Sequence, residues 1–171
     1  MRVRSVILSF VLLLAGSLPA FAQEPRWDLG ISAARIDYDL SGTGSAAGVA
    51  VRAVRHITPH FAVEMRGLLA RPELQSGPAM LFAPDVQAQY RWQTARVSPY
   101  VGGGIGFATI KKQFPFRTDW DMTTTVGGGA AVRLTDRVAL IGELRLRGFE
   151  MDYVGSTGEF SIGLTWGLPN F

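Results

Sequence analysis

The chain has 171 residues, with 17 Lys+Arg against 14 Asp+Glu, 47% apolar residues, 20 Gly and no Cys. That length suits one domain. The apolar content excludes a disordered chain, and the lack of cysteine excludes a disulfide scaffold, a thiolate zinc site and a cysteine-anchored lipoprotein.

The first segment reads as an export signal. Arg2 and Arg4 form a short basic region, Val6 to Ala15 is apolar apart from Ser9, and the small-x-small triplet Ala20-Phe21-Ala22 follows Pro19. Cleavage is expected after Ala22, which divides the chain into a signal peptide, 1–22, and a mature domain, 23–171. The apolar run is about ten residues, where a membrane-spanning helix needs about 20. Removing Arg2 and Arg4 leaves 15 basic residues against 14 acidic ones. The mature chain is therefore close to neutral, and its scattered basic residues carry no nucleic-acid footprint.

From Gln23 onward the apolar residues recur with period two, the mark of half-buried strands. In chain order, Trp27, Leu29, Ile31 and Ala33 oppose Asp28, Gly30 and Ser32. Ala47, Val49, Val51 and Ala53 then oppose Gly48, Ala50 and Arg52, and Phe61, Val63, Met65 and Leu69 oppose Glu64 and Arg66. A fourth strand sets Val86, Ala88, Tyr90 and Trp92 against Asp85, Gln87, Gln89 and Arg91. The fifth sets Val101, Ile105 and Phe107 against Tyr100, Gly102, Gly104 and Gly106. The sixth sets Met122, Thr124 and Val126 against Thr123, Thr125 and Gly127. The seventh sets Val138, Leu140, Leu144 and Leu146 against Glu143, Arg145 and Arg147. In the last, Phe160, Ile162, Leu164, Trp166 and Leu168 oppose Ser161, Gly163 and Thr165. After Ala33 the first strand changes phase at Ile36, Tyr38 and Leu40, which leaves a bulge or a strand end open there.

Short turns at 57–60, 94–96 and 135–137 alternate with longer connections at 41–45, 71–84, 111–120 and 151–157. Strands of about ten residues with short turns at one end and longer loops at the other are the pattern of a transmembrane barrel. In a bilayer every backbone N–H and C=O needs a partner, so the sheet must close. The expectation is an all-β, eight-stranded, antiparallel up-and-down transmembrane β-barrel. A soluble barrel with the faces inverted is the alternative. Against it stand the Gly-rich face of strands five and six and an aromatic girdle of Trp27, Phe61, Tyr90, Trp92 and Trp166 near the short turns.

Several motifs resemble the small outer-membrane β-barrel proteins of Gram-negative bacteria, the OmpA/OmpX-like group, across nearly all of the mature chain. They are Pro99-Tyr100-Val101-Gly102, Gly127-Gly128-Gly129, Leu134-Thr135-Asp136-Arg137 and Glu143-Leu144-Arg145. The last strand fits the C-terminal assembly signal of such barrels through Ser161, Gly163, Trp166 and Leu168, with Phe171 terminal but out of phase. The resemblance implies an outer-membrane location with periplasmic termini and a monomeric state. It also implies handling by periplasmic chaperones and the barrel assembly machinery, contact with outer-membrane lipids and lipopolysaccharide, and no cofactor.

Buried charges must be paired, so among Arg52, Glu64, Arg66, Glu143 and Arg145, counted near mid-barrel, the last four are expected to form one lumen network with Arg52 nearby. The network either plugs the barrel in a structural or surface-contact protein, or gates a narrow pore. Lys111, Lys112 and Arg117, assigned to an outer loop, are candidates for lipopolysaccharide phosphates. The third possibility is a lipid A-modifying enzyme, which needs a nucleophile, a base and an orienting group. The two histidines, His56 and His60, flank a short turn on the periplasmic side, with no evident carboxylate partner. No catalytic or metal site is therefore assigned.

Overall fold

The computed structural model describes residues 26–37, 44–74, 77–92, 94, 96–112, 117–149 and 156–168. The signal peptide and Pro169-Asn170-Phe171 lie outside these residues.

Apolar residues alternate with small or polar ones from Trp27 onward, and the chain accordingly runs as strands joined by tight turns. They are β1 (Trp27–Asp37), β2 (Ser45–His56), β3 (Phe61–Ala70), β4 (Glu73–Leu74), β5 (Gly77–Arg91), β6 (Val97–Lys112), β7 (Arg117–Arg133), β8 (Val138–Phe149) and β9 (Ser156–Gly167). Each long strand pairs antiparallel with its neighbour, β1 pairs with β9, and β3 pairs directly with β5, so eight strands close into a ring. β4 pairs only with the start of β5 and stands outside the ring.

The register sets the barrel's shape. Successive partners from Trp27 are Arg55, Val63, Ala88, Gly103, Val126, Leu146 and Gly158, and Gly158 pairs with Asp37. One circuit therefore returns to β1 ten residues further on. That shear on eight strands tilts each strand by about 40° and leaves an interior that side chains fill.

The period-two pattern decides which face is which. Leu29, Ile31, Val51, Met65, Val86, Val101, Ile105, Val126, Leu144 and Ile162 are all outward and exposed. Arg52, Glu64, Arg66, Gln87, Glu143 and Arg145 point inward and are buried. A soluble protein would leave that apolar belt in water, whereas a bilayer covers it.

Two of the expected loops are largely strand. β5 begins at Gly77, so most of the expected 71–84 loop is strand. Ala79, Leu81 and Ala83 face inward there while Met80 and Phe82 face outward. With both faces apolar, the alternation that marks a strand disappears. Likewise, 111–120 is largely strand: β6 runs to Lys112 and β7 starts at Arg117. The alternatives left open in β1 resolve without a bulge: the strand keeps its alternation to Asp37, with Arg35 exposed outside and Ile36 buried inside. The lumen is not polar throughout. Towards the loop end Ala34, Ile36, Ala50, Leu68, Leu81 and Ala108 pack as an apolar cluster.

Candidate functional site

The lumen is layered. At mid-barrel, β2, β3, β5, β8 and β9 contribute four arginines and four carboxylates. Arg52 Nη1 donates to Glu64 Oε2 at 3.1 Å and to Glu143 Oε2 at 3.0 Å. Arg145 reaches three acids: Asp85 at 2.6 Å, Glu64 at 2.7 Å and Glu143 at 2.9 Å. Arg147 bridges Asp85 at 2.7 Å and Glu159 at 2.9 Å. Arg66 Nη1 donates to Glu159 Oε2 at 2.6 Å. The signs balance four against four, and these side chains are at most 2% exposed.

Neutral groups tie the network to the wall. Tyr100 Oη donates to Glu143 Oε2 at 2.5 Å, and Gln89 Nε2 donates to Glu64 Oε2 at 3.0 Å. Thr123 accepts from Arg147 at 3.1 Å. Among the described residues, the buried Nε of Arg52 and the Nε and Nη2 of Arg66 have no hydrogen-bond partner.

The structure brings Arg52, Glu64, Arg66, Glu143 and Arg145 together in one network. Arg52 is central rather than peripheral, and Arg66 pairs with Glu159 instead of Glu64 or Glu143. Asp85, Arg147 and Glu159 were missing from the expected set. Shear moves each strand's mid-height by more than a residue relative to its neighbour, so counting from the turns misplaces Asp85 and Arg147. Glu159 could have been found by extending the last strand's alternation two residues below Ser161.

At the turn end the lumen opens into a polar basin of about 560 Å³, lined by Arg26, Asp28, His56, Arg91, Arg133 and Arg137 among others. His56 does have a carboxylate partner, contrary to the sequence-based expectation: its Nε2 lies 2.7 Å from Asp28 Oδ2, and Arg26 Nε lies 3.2 Å from Asp28 Oδ1. The two residues are far apart in the chain but belong to adjacent strands with nearly matched register. His60 instead stacks on Tyr90, at 5.9 Å between ring centres.

The aromatic residues Trp27, Phe61, Tyr90, Trp92 and Trp166 all lie at the turn end of the outward face. Tyr90 meets Phe61 and Trp92 edge-on at 5.2 and 5.0 Å, and the Arg55 guanidinium sits over Trp27 at 5.7 Å. In β9, Ser161 faces the lumen and Trp166 faces outward, while Leu168 N–H donates to Trp27 O at 2.8 Å. Gly163 is a packing requirement, because a Cβ there would lie 2.1 Å from the Ile31 carbonyl oxygen. Lys111 is exposed at the loop end of β6, and Lys112 pairs in register with Arg117 across the β6–β7 seam. These three residues occupy strand ends rather than the loop expected for them.

A closed eight-stranded ring with an apolar exterior and a charged interior defines a transmembrane barrel of the outer-membrane type. The chain belongs to the outer membrane protein beta-barrel domain family, whose model matches residues 8–167. Among solved structures it is similar to Neisserial surface protein A, with 15% identity and a TM-score of 0.67, covering 86% of this chain and 97% of that one. It is also similar to the N-terminal barrel domain of Pseudomonas aeruginosa OprF, with 13% identity and a TM-score of 0.60, covering 85% and 100%. A third is Ail, the attachment invasion locus protein of Yersinia pestis, with 13% identity and a TM-score of 0.53, covering 85% and 98%. No curated protein sequence matches the chain. At these identities the likeness is one of fold.

Proposed function

We propose that this chain is a plugged outer-membrane barrel with a structural, envelope-integrity or surface-contact role, its termini and short turns in the periplasm. The observation that carries this reading is the balanced network of four arginines and four carboxylates across the lumen. An apolar cluster caps it on the loop side. Ion pairs buried in this way rigidify a wall, and the closed barrel leaves no sheet edge within the bilayer.

Surface contact is supported by the position of Lys111, Lys112 and Arg117 at the outer ends of β6 and β7, the end that meets lipopolysaccharide. Ail's description as an attachment protein supports the same direction. The alternation in β9, with Ser161 and Gly163 inward and Trp166 outward, supports recognition of that strand by the assembly machinery. A catalytic role is not proposed. His56 and His60 both lie at the turn end, whereas lipid A occupies the leaflet at the opposite end.

The competing reading is a gate, favoured by Arg145, which touches three carboxylates and has alternative pairs available. Planar-bilayer recording separates the two. The refolded wild type and Arg145→Ala are both expected to lack steady conductance, with the variant differing only in stability. Defined channel steps that appear in Arg145→Ala would establish the gate and sink the plug.

A further inference from the structure

We propose that the basin at the turn end is a binding site for a small oxyanion, phosphate or carboxylate, built around the buried guanidinium of Arg91. The inference goes beyond the plugged-barrel reading and does not depend on it.

It starts from the charges. The mid-barrel arginines and carboxylates satisfy one another in equal number. Arg91 is a fifth buried guanidinium, one layer nearer the turns and only 7% exposed. Its Nε donates to Gln89 Oε1 at 3.0 Å, and its cationic plane lies 4.9 Å from the centre of the Tyr100 ring. Both contacts hold the group in place and neither carries a negative charge. Among the described residues, no carboxylate lies within 4.0 Å of it. A buried cation without a counter-ion is strongly disfavoured, and a ring face compensates only in part.

The surroundings add to the excess. The basin is lined by Arg26, Arg133 and Arg137 as well as Arg91, against the carboxylates of Asp28 and Asp136. Asp28 Oδ2 is engaged by the His56 ring at 2.7 Å, while Oδ1 lies 3.2 Å from Arg26 Nε without a hydrogen bond. Among the described lining residues, four arginines thus face two aspartates, and the basin presents a net positive charge to what enters it. A guanidinium fork matches the paired oxygens of a carboxylate or phosphate, and hydroxyls of Ser98 and Thr165 line the same space. About 560 Å³ admits a small oxyanion with part of its hydration shell. Above Arg91, Gln89 is hydrogen-bonded to Glu64, so the basin has a floor and the anion binds without passing through.

The test is a titration of the refolded full chain, in zwitterionic detergent free of chloride, with inorganic phosphate and separately with acetate, read by calorimetry. Wild type is expected to bind one equivalent saturably. The tighter probe identifies the oxyanion: phosphate for a phosphorylated solute or headgroup, acetate for a carboxylate-bearing one. Arg91→Gln, which keeps the polar stem but removes the charge, is expected to weaken binding about tenfold or more, as the loss of a charge-assisted hydrogen bond implies. Arg91→Lys, which restores a charge without the fork, should recover part of it. If Arg91→Gln does not fold, Arg91→Lys carries the test through a reduced affinity for the same probe. Absence of saturable binding by the wild type, or equal affinity in the Arg91 variants, would overturn the proposal.

Discussion

Arg145→Ala is expected to destabilise the barrel by about 3–5 kcal/mol, the usual cost of removing one partner from a buried ion pair. Arg145 is the hub of the network. It contacts Asp85, Glu64 and Glu143, and the first two of these carboxylates are completely shielded from solvent. Removing it strips each acid of a cation at once. Arg147 still holds Asp85, and Arg52 still holds Glu64 and Glu143, so the loss is partial for each and large in sum. Urea unfolding of the barrel in lipid vesicles, followed by tryptophan fluorescence, measures it. Adding Asp85→Asn to Arg145→Ala should recover part of the stability, because the second change removes a charge that the first left poorly compensated. A strictly additive double variant would show that the two residues are not coupled as the structure has them.

Gly104→Ala is expected to cost about 3 kcal/mol, the upper end for overpacking, or to prevent folding. Gly104 lies inward on β6, between Gln87 of β5 and Thr125 of β7. A Cβ built there would stand 2.1 Å from the Val86 carbonyl oxygen and 2.7 Å from Gln87 Cα. Both are backbone atoms of the neighbouring strand, so relief requires moving the wall rather than turning a side chain. Gly106 is placed similarly, 2.3 Å from the Pro84 oxygen. Gly142 is the matching control, since a Cβ there meets nothing within 4 Å. Gly142→Ala should leave the heat-modifiable gel shift intact while Gly104→Ala reduces or abolishes it. Equal behaviour of the two would contradict the close approach of β5 and β6.

The glycines of β6 also explain how the lumen holds so many long side chains. Gly102, Gly104 and Gly106 present no Cβ on the inward face, and a Cβ at Gly102 would meet the Gln87 and Gln89 side chains at 3.0 and 3.1 Å. Sequence reading recognised the glycine-rich face but not what it makes room for.

What the sequence alone determined was the alternation. Period two is a local property of the strand, and it already separates Val51 from Arg52 and Leu144 from Arg145. Closure followed from it, because an apolar outer face is stable only in lipid, and lipid tolerates no open sheet edge. The tertiary structure decided three things that alternation does not carry. Register sets height, and through the shear it brings Asp85, Arg147 and Glu159 level with the expected charges. Pairing of distant residues gave His56 its partner in Asp28 and left Arg91 without a carboxylate among the described residues. The outer halves of β5 and β1 were illegible because their inward residues, Leu81 and Ile36, are as apolar as the residues that face lipid. Alternation in sequence marks a strand only where its two faces meet different surroundings, and in the outer halves of β1 and β5 both are apolar.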